Sequence, residues 1–216
     1  MKDTAQTSDS AGPTVPVAYG RKRTPLQLVR RVVEVLAQRL NARWHLRSAN
    51  EIGVDVRLNG RLRLDNLGQV RIGSKVSFTS TFLPIEILTS RSGSISIGDG
   101  VWINFGVVVA SHCSVSIGDR AMIGQHCIIS DVDFPEVEVI PGAEGPRPIT
   151  IGADAWLAGR VTVRPGITIG DGAVVISGSI VEDDLPAHTI CGGIPARPLM
   201  RVRATATASS PPSSSG

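Results

Sequence analysis

Aromatic side chains are scarce in this 216-residue chain: three Trp, four Phe and one Tyr, 4% in all. A core with so few rings must be filled by Val, Ile, Leu and Ala. The three cysteines, Cys113, Cys127 and Cys191, form no C-x-x-C pair and read as reduced, buried thiols. Four histidines without an H-x-x-x-H pair give no reason to expect a metal site. No apolar run approaches the roughly 18 residues a membrane span needs. The polar start "MKDTAQTSDS" has no signal-peptide core, which points to a cytoplasmic protein. Acid is missing from one stretch only. Between Arg21 and Arg47 eight Lys or Arg face Glu34 alone, while the whole chain carries a net +3. The remainder is slightly acidic, which argues against a nucleic-acid groove along the main body.

What the chain has in quantity is glycine, 23 residues, and a rhythm of six. Ile97, Ile103 and Val109 form one triplet, and Ile117, Ile123 and Ile129 the next. Ile151, Leu157 and Val163 follow, then Ile169, Val175 and Val181. Ile72 and Phe78 fit earlier, and Val54 lies eighteen residues before Ile72. A second small residue stands four positions on at Val101, Ala121, Ala155, Ala173 and Ser179. Three hexads make one turn of a triangular coil whose corners favour Gly, Asp or Asn. The aliphatics stack inside, and coils lie about 4.8 Å apart through strand pairing. The expected fold is an all-β solenoid, a parallel β-helix of about six coils over 51–186.

The flanks differ. Residues 1–23 read as a disordered N-terminal segment, and 204–216 as a disordered tail. Over 24–50 the pattern is an amphipathic basic helix, with Thr24 as N-cap and Pro25 at the first position. Leu26, Val29, Val33, Leu36, Leu40 and Trp44 form its apolar stripe. Such a helix fits weak peripheral contact with an anionic membrane, or a cover for the open end of the coil. Residues 187–203 leave the rhythm and read as a C-terminal cap.

Two corners break the period. Val109 to Ile117 is a step of eight, and Ile129 to Ile151 a step of twenty-two, which extrudes the loop 131–148. His112 then lies one coil beneath the root of that loop, near Asp131 and Asp133. A histidine beside carboxylates can be fixed in one tautomer and made more basic; a water-facing corner histidine is the bland alternative. Asn104 occupies the preceding corner of the same coil, and His126 the matching corner one coil above. His45 and His188 read as surface residues. Trp102 and Trp156 fall on outer faces, where they need cover from another subunit or from a ligand.

The segments "ISIGDGVWINFGVVVASHCSVSIGDRAMIGQHCIISDVDF" and "ITIGADAWLAGRVTVRPGITIGDGAVVISGSIVEDDLPAHTICGGIPARPL" resemble hexapeptide-repeat acyltransferases. The likeness is to galactoside and maltose O-acetyltransferases and their polysaccharide-modifying relatives. It implies a left-handed coil, a homotrimer with sites between subunits, and acetyl-CoA or another acyl-CoA as donor. It also implies a sugar or glycan-precursor acceptor and a catalytic histidine. By the same likeness Asn104 matches an acceptor-site asparagine, Trp156 a tryptophan beside the CoA arm, Gly159 and Ser177 groove residues, and Arg197 a basic residue near the CoA end. Three departures stand out. Many relatives read D-x-D-F-H where this chain has "DVDFP", so Pro135 replaces their histidine. His112 stands where sugar acetyltransferases carry an aspartate, and Glu182 and Asp183 replace Thr-Lys. His112, oriented by Asp131 or Asp133, is therefore the candidate base, with Glu136 as its substitute. The expected activity is CoA-dependent O- or N-acyl transfer. A catalytically inactive trimeric scaffold or sugar-binding module is the alternative, and a β-helix metalloenzyme a third reading.

Overall fold

The computed structural model describes residues 25–133 and 145–202. Parallel strands wind into a three-faced prism, a left-handed β-helix. The first face stacks six strands: 51–52, 69–72, 94–97, 115–117, 149–151 and 168–169. The second carries 77–79, 102–104, 122–123, 156–157, 174–175 and Thr189–Gly193, and the third 86–89, 108–111, 128–130, 162–163 and 180–181. Their lower ends are continuous because the long strands Arg57–Asn66 and Ser77–Thr89 bend round the edge between them, with a register shift between Gly60 and Leu62.

The hexad aliphatics point inward. Ile97, Ile117, Ile151 and Ile169 form one buried ladder, Ile103, Ile123, Leu157 and Val175 a second, and Val109, Ile129, Val163 and Val181 a third. At the corners one coil sits directly on the next. A Cβ on Gly118 would stand 2.6 Å from the amide nitrogen of Ala153, so glycine alone fits there.

The lowest coil departs from the expected spacing. Ile52, not Val54, pairs with Ile72, and Val54 is 73% exposed. The helix α1 (Pro25–His45) closes this end. Thr24 lies outside the described residues. Ala42 and Leu46 are buried against the coil. Asn41 Nδ2 donates to the carbonyls of Leu58 and Gly60 at 3.1 and 2.8 Å, and His45 Nδ1 lies 2.7 Å from that of Leu62. His45 is therefore part of the cap rather than a surface residue: it serves the otherwise open edge of the strand Arg57–Asn66. Arg39 and Arg57 both grip Asp55, and the Arg57 hydrogen bond leads in holding its carboxyl at about 2. At the other end the strands Thr189–Gly193 and Ala196–Arg201 form an antiparallel hairpin on the second face.

Candidate active site

Two corners of the prism carry the residues that the sequence singles out. The corner between the third and first faces holds His112, Asp131 and Asp133. Asp131 is fully buried, and its carboxylate accepts three hydrogen bonds. The backbone amides of His112 and Cys113 donate at 2.7 and 2.8 Å, and the Ser111 hydroxyl donates at 2.8 Å. Hydrogen bonds to a charged acceptor contribute about 1.5–3 kcal/mol each, so this corner is firmly built. The carbonyls of His112 and Cys113 are also engaged, by the hydroxyls of Ser92 and Ser94.

The expected arrangement is corrected here. Asp131 holds the backbone of His112 and not its ring; the buried Nδ1 of His112 has no hydrogen-bond partner among the described residues. Asp133 does not orient the ring either, because its carboxylate pairs with Arg164 at 2.8 Å. The reason is geometric. A widened corner turns its amides inward over the coil above, and a buried carboxylate beneath the loop is the acceptor they meet. The feet of the loop are tied together as well, the Arg147 amide donating to the Asp131 carbonyl at 2.9 Å. Pro135 and Glu136 lie outside the described residues.

The corner between the second and third faces carries the other set. Asn104 ends the strand Trp102–Asn104, and its Oδ1 accepts the Phe105 amide at 2.9 Å. His126 sits one coil above, its ring edge-on to Phe105 at 5.3 Å between centroids. Phe82 meets Phe105 at 5.4 Å from below. Gly159 is buried in the next coil, where the Gln125 side chain covers it, and its carbonyl accepts the amide of Gly178, next to the exposed Ser177. Asn104, His126, Gly159 and Ser177 thus share one column. Trp102, Met122 and Trp156 stack in register on the adjoining face, 43%, 38% and 46% exposed. Trp102 Nε1 donates to the Thr79 hydroxyl at 3.1 Å.

His112 and Asn104 stand at different corners, so one chain does not bring the candidate base and the candidate acceptor residue together. Arg197 lies at the top of the prism, where its guanidinium is bound to Asp183. Ser111, Arg164 and Phe82 went unnoticed in the sequence. Only Arg164 left a signal, an opposite charge one coil above Asp133. The thiols are inert packing groups in two of three cases: burial pushes Cys127 up to about 11 and raises Cys191 also. Among the described residues no three His, Cys, Asp or Glu side chains gather where a metal could be held.

The family described as hexapeptide repeat of succinyl-transferase matches residues 148–182. The galactoside O-acetyltransferase of Escherichia coli is 32% identical over 115 residues, 52% of this chain and 57% of that enzyme. The chain spans little more than half the length of such curated relatives. A hexapeptide-repeat acetyltransferase from Vibrio cholerae, solved with acetyl-coenzyme A, superposes with a TM-score of 0.53 at 22% identity, over 81% of this chain and 89% of that one. The N-acyltransferase AntD from Bacillus cereus, solved with dTDP and 3-hydroxybutyryl-CoA, gives 0.62 at 18% identity, over 71% and 83%. These two likenesses are of fold. Repeat and prism agree: residues 148–182 match the hexapeptide repeat, and the chain folds as a left-handed β-helix, a fold it shares with these solved acyltransferases.

Proposed function

We propose that this protein is a CoA-dependent acyltransferase that moves an acetyl or similar acyl group to a hydroxyl or amine of a sugar or glycan precursor. The observation that carries the proposal is the Asp131 clamp, which fixes His112 at a widened corner of a repeat shared with acetyltransferases. A thioester donor is already activated. The protein has only to hold the acceptor, take its proton, and stabilise the oxyanion. His112 is the base in this reading. Asn104, Trp156, Gly159 and Ser177 hold acceptor and donor along the other corner, with Arg197 at the cofactor end.

Since a full face of the prism separates His112 from Asn104, the working site combines corners of two chains. A homotrimer satisfies this, and it also covers the exposed Trp102, Met122 and Trp156 ladder. The galactoside O-acetyltransferase relative supports a sugar acceptor.

One observation favours the second reading, a silent trimeric scaffold or sugar-binding module. Arg197 is already neutralised by Asp183, with Glu182 beside it, which weakens the pull on a polyanionic cofactor. Two measurements decide. Acetyl-CoA and a panel of sugar hydroxyl and amine acceptors, followed by thiol release, should show saturable transfer, and calorimetry should show CoA binding. Neither transfer nor binding would favour the scaffold. Sedimentation should give a trimer, and a monomer at micromolar concentration would sink the shared site.

A further inference from the structure

The cap explains only half of α1. Ala42 and Leu46 face the coil, while Leu26, Val29, Val33, Leu36, Leu40 and Trp44 are each at least half exposed. At about 100° per residue these six fall within a sector of roughly 80°. On the helical wheel that sector lies opposite Ala42 and Leu46, the residues buried against the prism. The stripe continues at its base into a groove where Leu36 and Leu40 face Ile52 and Val54 of the first coil. A fold that needed α1 only as a lid would place polar residues on this side.

We infer that this stripe docks the protein on an anionic lipid bilayer. The charge around it selects the occupant. Arg30 and Arg43 flank the stripe on its two sides, Arg47 follows at its end beside Trp44, and Arg21, Lys22 and Arg23 precede the helix in sequence. The only acid in the segment is Glu34, which Arg30 binds at 2.8 Å within the same helix. A second copy of α1 laid on the stripe would bring two strongly basic rims together with no acid to pair them. An anionic headgroup layer meets both demands: it takes the apolar side chains at its acyl boundary and the guanidinium groups at its surface. Trp44, with Arg47 over its ring at 5.0 Å, is the amphipathic anchor such an interface favours. No described helix is long and apolar enough to cross a membrane, so α1 lies on the surface.

The test is flotation of the full chain with phosphatidylcholine vesicles, with or without about one quarter phosphatidylglycerol. The protein should float with the anionic vesicles only, and high salt should release it. Val29→Gln with Val33→Gln, which puts good helix formers at exposed positions, should abolish flotation while melting temperature and sedimentation mass stay unchanged. Arg43→Gln should lower partitioning about fivefold, the effect of one basic residue near an anionic surface. Absence of flotation, or equal flotation with neutral vesicles, overturns the inference. So does a drop in sedimentation mass in the Val29/Val33 variant, which would assign the stripe to a second copy of the chain.

Discussion

The carboxylate of Asp131 binds the amide of His112 at 2.7 Å, one coil below the loop that it roots. This relationship makes Asp131 a positioning residue for the corner rather than a partner of the imidazole. Asp131→Asn keeps one acceptor oxygen but turns an amide donor either toward the His112 amide, 2.7 Å away, or toward the Cys113 amide and Ser111 hydroxyl that share the other oxygen, both 2.8 Å away. Unfolding stability should fall by about 2 kcal/mol or more by urea titration. Transfer should slow with little change in CoA affinity. An unaltered urea midpoint would mean that the corner holds without its carboxylate.

His112→Ala removes the candidate base without touching that clamp. A positioned general base contributes about 10²–10⁴-fold, so kcat should fall at least about a hundredfold at unchanged melting temperature. His126→Ala serves as the comparison, because His126 packs on Phe105 in the other column. If the His126 variant, or Glu136→Gln, is the inactive one and the His112 variant keeps its rate, the base has been assigned to the wrong residue.

Asp183→Asn releases Arg197 from its ion pair. Removing a negative charge near the proposed end of the CoA arm should tighten CoA binding, more at low salt than at high. Equal dissociation constants for wild type and variant at both salt concentrations would place the pair away from the cofactor.

Asp55 links α1 to the first coil and titrates at about 2, below the ordinary 3.8, because Arg57 and Arg39 favour its ionised form. A depressed carboxyl stabilises the folded chain above its unfolded value and loses that contribution as pH falls through its folded one. Between about pH 4 and pH 2 the wild type should therefore lose more urea resistance than Asp55→Asn. Parallel profiles over that window would show that the pair contributes nothing.

The upper coils were legible residue by residue. Ile117, Ile123 and Ile129, and again Ile151, Leu157 and Val163, follow the six-residue rhythm because the corners between them are short turns of fixed length. The lower coils were not, since Arg57–Asn66 and Ser77–Thr89 pass from one face to the next without a corner. That is why the rhythm aligns Val54 with Ile72, whereas Ile52 is the residue that pairs with Ile72, and Val54 and Ile52 are both exposed. The site was legible in its members but not in their contacts. Spacing brings His112 under Asp131, yet it does not say whether a carboxylate will meet a ring or a backbone amide. The direction of the corner amides decides that, and no side-chain pattern encodes it. The outward ladder of Trp102 and Trp156 could be read from position alone. Its exposure in a single chain follows from side chains that alternate across each strand.

The bond from the Arg147 amide to the Asp131 carbonyl, 2.9 Å long, pins the two feet of the loop to each other. Whatever lies between them is attached to the prism through a closed doorway, and the stacking of coils above and below does not register its length. Closure entropy rises only by about 0.6 kcal/mol for each doubling of a flexible loop. The segment can therefore be lengthened, shortened or rewritten as a cassette while the scaffold stays the same. A lineage could lose a reactive side chain there, or regain one, without having to refold the protein around it.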